Sequence, residues 1–316
     1  MRRRVAFFGS PAWAVPVLEA LAREHDPVLV VTQPDKPAGR GLKPRESPVA
    51  ARARELRIPV EKPRRLKGNR DFAGRLEAAA PEVAVVAAYG KIIPPEVLAV
   101  PRHGFLNLHP SLLPKYRGAA PVNWALINGE TETGVSVMLL DQGMDTGPVF
   151  VQERVPIGPD ETAVELGERL RDRGVELLLG VLERLEQATP EPQRGEPSYA
   201  PLLTKEDGRI RFQDPAPRVY DRHRGVQPWP GSWFWHRGRR VKALDLRPEP
   251  GRGAPGEVLA VGPGGVLVAT GEGAVRLVEV QPEGRRPMPA EAWARGYGVA
   301  PGVRLGSPPS TQDRPR

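Results

Sequence analysis

The sequence predicts an α/β fold, a parallel sheet with crossover helices, followed by a small β-barrel. Three observations predict it. Strand-like apolar runs alternate with helical patterns through the first half of the chain, as a parallel sheet with helical crossovers requires. Beyond residue 207 the pattern changes to short β-branched runs divided by Gly and Pro turns. The length, 316 residues, is that of about two domains of ~150 residues each.

Taken in order, Val5 to Phe8 is the first strand, punctuated by Gly9 and Pro11, and Val17, Leu18 and Leu21 then recur at helical spacing. Val28 to Thr32 is the second strand, and Gln33 to Ser47 a polar loop rich in Pro and Gly. Ala50, Ala53 and Leu56 mark a helix, Ile58 to Val60 a short strand, and Phe72, Leu76 and Ala79 a further helical face. Val83 to Ala88 is the continuously apolar run expected of a mid-sheet strand covered on both sides. Phe105 to His109 and Val135 to Asp141 are further strands, separated by a helix near Pro121 to Asn128. Thr162 and Glu165 fit a capping box ahead of a long helix whose Leu170, Leu177, Leu178, Val181, Leu182 and Leu185 form a buried stripe. Prolines 190, 192, 197 and 201 favour an extended connector. Val258 to Val261, Val266 to Thr270 and Ala274 to Val280 are strands of the second module. The expected division is a catalytic domain at 1–188, a Pro-rich linker at 189–206, a basic β-barrel at 207–305 and a disordered tail at 306–316.

Composition narrows the function. Hydrophobic residues make up 40% and charged residues 27%, and no apolar run reaches the ~18 residues of a membrane span. The apolar stretch near the start is too short for a signal peptide, so a cytoplasmic protein with no membrane partner is expected. With no cysteine, disulfides, thiolate zinc sites, iron–sulfur clusters and a cysteine nucleophile are excluded. The histidines lack metal-ligand spacing, and no metal is expected. The net charge of +8 lies entirely in the final third: residues 1–208 carry 28 basic and 28 acidic side chains, residues 209–316 carry 18 and 10. Such a surface binds a polyanion or is simply a solvated basic face.

The chemistry concentrates in two segments. In a strand, residues two apart share a face, so Asn107 and His109 point together from the end of theirs, where open parallel sheets bind ligands. A lone histidine is more often a core residue satisfied by backbone. The strand Val135 to Leu140 leads into Asp141-Gln-Gly-Met-Asp145-Thr-Gly147, which can bring Asp145 beside His109, although a solvated turn aspartate is the plainer reading. Amide, imidazole and carboxylate with no serine or cysteine set as nucleophile suggest direct transfer through a tetrahedral centre. A nicotinamide dehydrogenase is disfavoured because Gly9-Ser10-Pro11 lacks the Gly-x-Gly-x-x-Gly fingerprint. Trp229, Trp233, Phe234 and Trp235 form an aromatic cluster; with Pro228 and Pro230 beside it, Trp229 is expected to be a packing anchor between barrel and linker rather than a base-stacking platform.

The run Asn107-Leu-His109-Pro-Ser111-Leu-Leu-Pro114, with Arg117-Gly-Ala-Ala-Pro121 and Met144-Asp145-Thr-Gly147-Pro148, resembles the 10-formyltetrahydrofolate-dependent formyltransferases. Phe8-Gly-Ser10-Pro11, Gln33 to Gly41, Ala88 to Pro94 and Gln227 to Pro230 extend the resemblance over most of residues 5–300, and the Gln33 to Gly41 loop with the basic carboxyl module resembles the branch that formylates methionyl-tRNA. One departure is Ser10, where a threonine is usual. The resemblance implies a Rossmann-like catalytic domain, an OB-like open barrel, 10-formyltetrahydrofolate as formyl donor, initiator methionyl-tRNA as acceptor and a monomer. It implies Asn107, His109 and Asp145 as the catalytic trio, and Ser111, Leu112, Leu113, Pro114, Tyr89 and Ile92 as folate contacts. It also places Arg40, with Lys36, Lys43 and Arg45, in a loop that reads the tRNA acceptor end. A formyltransferase for a small amine (glycinamide ribonucleotide or an amino sugar) and a non-enzymatic RNA-binding protein remain the alternatives at this point.

Overall fold

The computed structural model describes residues 2–38 and 43–307, with the backbone alone at 36–38 and 43. Contacts divide the chain into two compact units, Met1–Pro121 with Glu132–Pro156 and Leu166–Pro201, and Val122–Thr131 with Ile157–Glu165 and Leu202–Arg316. The 308–316 part of the tail expected to be disordered lies outside the described residues.

The first unit is built on β1 (Arg4–Gly9), α1 (Val15–Glu24), β2 (Asp26–Val31), β3 (Lys36–Ala38), β4 (Lys43–Arg45), α2 (Pro48–Glu55), β5 (Val60–Glu61), α3 (Arg70–Ala78), β6 (Val83–Ala87), α4 (Pro95–Leu98), β7 (Phe105–His109) and β8 (Arg117–Gly118). After α5 (Pro121–Ile127) come β9 (Glu132–Leu139), β10 (Val149–Pro156), α6 (Ala163–Glu183) and β11 (Tyr199–Ala200). Among the described residues the main sheet runs β10-β9-β7-β6-β1-β2-β5. β5, β2, β1, β6 and β7 are parallel, as the alternation predicts, whereas β9 is antiparallel to β7 and β10 antiparallel to β9, so the sheet is mixed. The continuously apolar β6 is buried at every position and sits mid-sheet.

Strand alternation sorts the two faces. Ala6, Phe8, Ala84, Val86 and Phe105 pack with Phe72 and Leu76 of α3 in one core, where Phe8 meets Phe105 and Tyr89 edge-on at 5.1 and 5.4 Å. On the other face α6 lies against β7 and β9. Its stripe is as the spacing predicts, with Leu170, Leu178, Val181, Leu182 and Leu185 buried and Leu177 half-buried. Gly174 permits the close approach, because a Cβ there would lie 2.9 Å from Leu108 Cδ1 and from Val135 Cγ2.

The segment from Gln33 to Ser47, expected to be a loop, holds a two-stranded antiparallel ribbon. β3 and β4 pair with Lys36 opposite Arg45, Pro37 opposite Pro44 and Ala38 opposite Lys43. Its base is pinned: Lys62 Nζ donates to Asp35 Oδ1 (2.7 Å) and Glu46 Oε1 (2.9 Å), and Thr32 Oγ1 lies 2.6 Å from Ser47 Oγ, which also caps α2 by accepting from the Ala50 amide.

The second unit carries α7 (Ala216–Gly225), β12 (Ser232–His236), β13 (Arg239–Glu249), β14 (Val258–Gly262), β15 (Gly265–Ala269), β16 (Ala274–Pro282), β17 (Met288–Pro289) and α8 (Ala290–Tyr297). Its antiparallel sheet runs β12-β13-β16-β15-β14, with β17 on β16, consistent with an open barrel. Phe234, Val241, Leu246, Val268, Leu277 and Trp293 fill its core. The aromatic cluster divides. Phe234 is core and Trp233 is the anchor, its indole N–H donating to the Lys205 carbonyl at 2.8 Å. Trp229, expected to pack, is instead 54% exposed.

Candidate active site

Asn107 and His109 share one face of β7, the face opposite the one that Leu108 turns to α6. Asp145 reaches them by a different route from the one the strand order predicts. β9 runs antiparallel to β7, with Leu139 opposite Leu106, so it ends at the amino end of β7 rather than at the carboxyl edge. The chain must therefore turn back through 140–148 to bring Asp145 to the other two. Two local features make that turn. Asp145 takes a left-handed backbone (φ 53°), which Asp tolerates better than most residues, and a Cβ at Gly147 would collide with the Leu139 carbonyl. Asp141 Oδ1 ties the turn by accepting from the Gly143 amide (2.9 Å) and the Thr146 hydroxyl (2.7 Å).

The three groups meet. Asp145 Oδ1 accepts from Asn107 Nδ2 at 3.3 Å, and Oδ2 accepts from the Gly118 amide at 2.8 Å. The same Oδ2 lies 3.7 Å from His109 Nδ1. His109, 4% exposed, places Nε2 at 2.9 Å from the Tyr116 carbonyl. A carbonyl only accepts, so Nε2 carries the proton. Nδ1 then stands toward the Asp145 carboxylate. The second amide hydrogen of Asn107 is not used by Asp145 and can serve an oxyanion.

Side chains outside the sequence-derived set hold this arrangement. Gln193 Nε2 donates at 2.8 Å to both the Asp145 and the Gly147 carbonyls, and its Oε1 accepts from Arg117 Nε (3.1 Å) and Nη2 (2.7 Å). Ser198 Oγ accepts from the Tyr116 amide at 2.9 Å, and β11 pairs with β8. Ser136 on β9, opposite His109, donates to the Ser111 carbonyl (2.6 Å) and accepts from the Leu113 amide (3.3 Å) and from Gln152 Nε2 (2.9 Å). No spacing rule marks Gln193 or Ser198, which lie in a Pro-rich stretch. Ser136 could have been found as the one hydroxyl in the apolar run from Val135 to Leu139.

The remaining site expectations fall as follows. Ser111 is fully buried and its hydroxyl donates to the Lys115 carbonyl at 2.6 Å; Leu113 and Pro114 are buried and Leu112 half-buried. Ile92 is 80% exposed. Tyr89 turns its ring into the core beside Phe8, where burial pushes the phenol up to about 12, and it offers only its carbonyl, which accepts from Gln33 Nε2 at 2.8 Å. The ring is thus packed in the core, and the Tyr89 carbonyl lies beside the Gln33 side chain. Arg45 is exposed on the ribbon; Arg40 lies outside the described residues, as do the side chains of Lys36 and Lys43. No helix among the described residues is long and apolar enough to cross a membrane.

Comparison with known proteins places the chain in a family. A formyl transferase family model matches residues 3–182, and a formyl transferase C-terminal domain model matches residues 202–298. The methionyl-tRNA formyltransferase of Thermus thermophilus is 67% identical over 303 residues, covering 96% of this chain and 99% of that one. That of Deinococcus radiodurans is 54% identical, covering 96% and 95%. The fold is shared with an N-formyltransferase from Helicobacter canadensis in complex with folinic acid and dTDP-3-aminofucose, at a TM-score of 0.65 and 18% identity over 88% of this chain and 99% of that one. At two-thirds identity across nearly the whole of both chains, this protein belongs to the methionyl-tRNA formyltransferase family.

Proposed function

We propose that the protein transfers the formyl group of 10-formyltetrahydrofolate to the α-amino group of initiator methionyl-tRNA, with Asn107, His109 and Asp145 as its reacting groups. The observation that carries the assignment is the Asp145 carboxylate, which bonds Asn107 and Gly118 and faces His109 Nδ1 at 3.7 Å.

The amine attacks the formyl carbon after its ammonium has released one proton to solvent. The carbonyl oxygen becomes an oxyanion, to which Asn107 donates its free amide hydrogen; loss of such a donor costs about 10²-fold or more in rate. The adduct nitrogen then gives its second proton to His109 Nδ1, and the imidazolium so formed is stabilised by Asp145. That proton passes to N10 of the folate as the C–N10 bond breaks, leaving formylated amine and tetrahydrofolate. Donor binding at the carboxyl edge draws on the exposed Ile92 and the rim of the Ser111 to Pro114 strip. On the acceptor side, the Gln33 to Ser47 segment, in which Lys36, Arg40, Lys43 and Arg45 outnumber Asp35 and Glu46, takes the acceptor end through this local positive charge.

Single-turnover transfer to methionyl-tRNA tests the trio. Asp145→Asn and His109→Ala are expected to slow it by about 10²-fold or more, and wild-type rates in both would overturn the assignment.

A further inference from the structure

Outside the trio, the described residues hold a cleft of ≈410 Å³ in the second unit, lined among others by Lys205, Trp229, Trp233, Arg240, Lys242 and Glu283. We propose that it binds one unpaired nucleotide of the RNA substrate, with the base stacked on Trp229 and the phosphate held by Lys205, Arg240 and Lys242. The inference rests on the reading of a tRNA as substrate and adds a discrete contact to it.

Register explains why the cleft has this chemistry. β12 is an edge strand whose Phe234 points into the core, so Trp233 and Trp235 project to the outer face, where alternation normally sets polar residues. Their partners on β13 are Lys242 opposite Trp233 and Arg240 opposite Trp235, and Gln281 of β16 lies opposite Lys242. Cations and rings thus share one surface. The Arg240 guanidinium stands 4.5 Å from the Trp233 ring and 5.2 Å from the Trp235 ring, which fixes it in place without neutralising it. Among the described residues none of Lys205, Arg240 and Lys242 forms an ion pair with a carboxylate, and Glu283 is the single acidic residue in the lining.

Trp229 supplies the second half of the site. Of the large apolar side chains it is among the few left open, at 54% exposure, while Trp233 beside it is 5% exposed. An aromatic face open to solvent next to three uncompensated cations matches the way single-stranded nucleic acid is held, by stacking on a ring and by contacts to the phosphate. A duplex, whose bases are already stacked, offers the phosphate but not the free base face. The volume lies in the range of small-molecule sites, about 300–1,000 Å³.

Tryptophan fluorescence of the full chain, titrated with a short unstructured oligoribonucleotide and with an RNA duplex of equal charge, reads the site without formyl transfer. Quenching by the single strand, weak or absent with the duplex, and lost in Trp229→Ala is the expected result. Equal quenching by both, or quenching that survives Trp229→Ala, would overturn the proposal. In steady-state formylation, Trp229→Ala is expected to raise KM for methionyl-tRNA about 10-fold with kcat within about 2-fold, and Trp229→Phe to restore most of the loss. An unchanged KM would also defeat it. Failure of the wild-type chain to formylate methionyl-tRNA would instead strike the functional reading, whatever the quenching shows.

Discussion

Gln193 shows how one neutral side chain can set the position of a charged one. Its amide nitrogen spans two carbonyls of the loop that carries Asp145, and its oxygen is held by the Arg117 guanidinium, so the loop is tied to the segment that also supplies the Gly118 amide. Gln193→Ala removes both tethers and leaves two carbonyls to find water. The single-turnover rate is expected to fall about 10-fold, with KM for both substrates within about 2-fold and a stability loss of about 1–3 kcal/mol. Gln193→Glu is expected to be worse for rate, because a carboxylate would face the Asp145 and Gly147 carbonyls while gaining an ion pair with Arg117. A rate at wild-type level in the alanine variant would show that the loop holds itself. His109 makes the complementary case: its sequence position favoured the plain reading of a buried histidine bonded to backbone, and one of its nitrogens is just that, while the other lies 3.7 Å from Asp145 Oδ2.

Among elements, α6 has the largest bearing on the site. Its capping box forms as the spacing predicts: the Thr162 amide donates to Glu165 Oε2 at 2.9 Å and the Glu165 amide to Thr162 Oγ1 at 3.4 Å. The glycine in its middle would be read as a weak point by propensity alone. The structure gives it a use, since it seats the helix directly on Leu108 and Val135, the residues behind Asn107, His109 and Ser136. Gly174→Val would gain helix propensity and still destabilise, by about 1–3 kcal/mol, because the added carbons have to displace packed side chains on two strands. Urea unfolding measures this; a variant as stable as wild type would mean that the helix rides higher on the sheet. Strands β12 and β13 mark the limit of pattern reading at this scale: rings and cations on the outward positions hide the alternation that a half-buried strand normally displays.

For the molecule as a whole, charge and titration set the response to conditions. All of the net +8 comes from residues 209–316, and the cleft beside Trp229 gathers part of that excess. Stability at low pH is governed in part by His223, which packs between α7 and β12 with Nδ1 3.0 Å from Ser232 Oγ. Burial lowers it from 6.5 to about 4. As pH falls the unfolded chain takes up the proton first, so the contribution is intact above pH 6.5, drains away down to about pH 4 and changes no further below that. The loss amounts to about 3 kcal/mol, and burial shifts His25, His103 and His236 in the same direction. Thermal midpoints measured from pH 7 to pH 4 are expected to decline less steeply in His223→Gln than in wild type; parallel curves would show that this histidine is not the group responsible.

The sequence alone determined the alternation of β1, α1, β2, α2, β5, α3, β6, β7, α5, β9 and α6, the change to a small β module and the family motifs, because hydrophobic period, caps and Gly or Pro punctuation act over a few neighbouring residues. It placed Asn107 and His109 on one face for the same reason. Only the tertiary structure decided that β9 runs against β7, that the chain doubles back to deliver Asp145, and that Gln193 and Ser198 of a distant Pro-rich stretch hold the result. Strand direction in a sheet and hydrogen bonds between segments dozens of residues apart leave no local period in the chain. They exist only once the backbone has closed those distances.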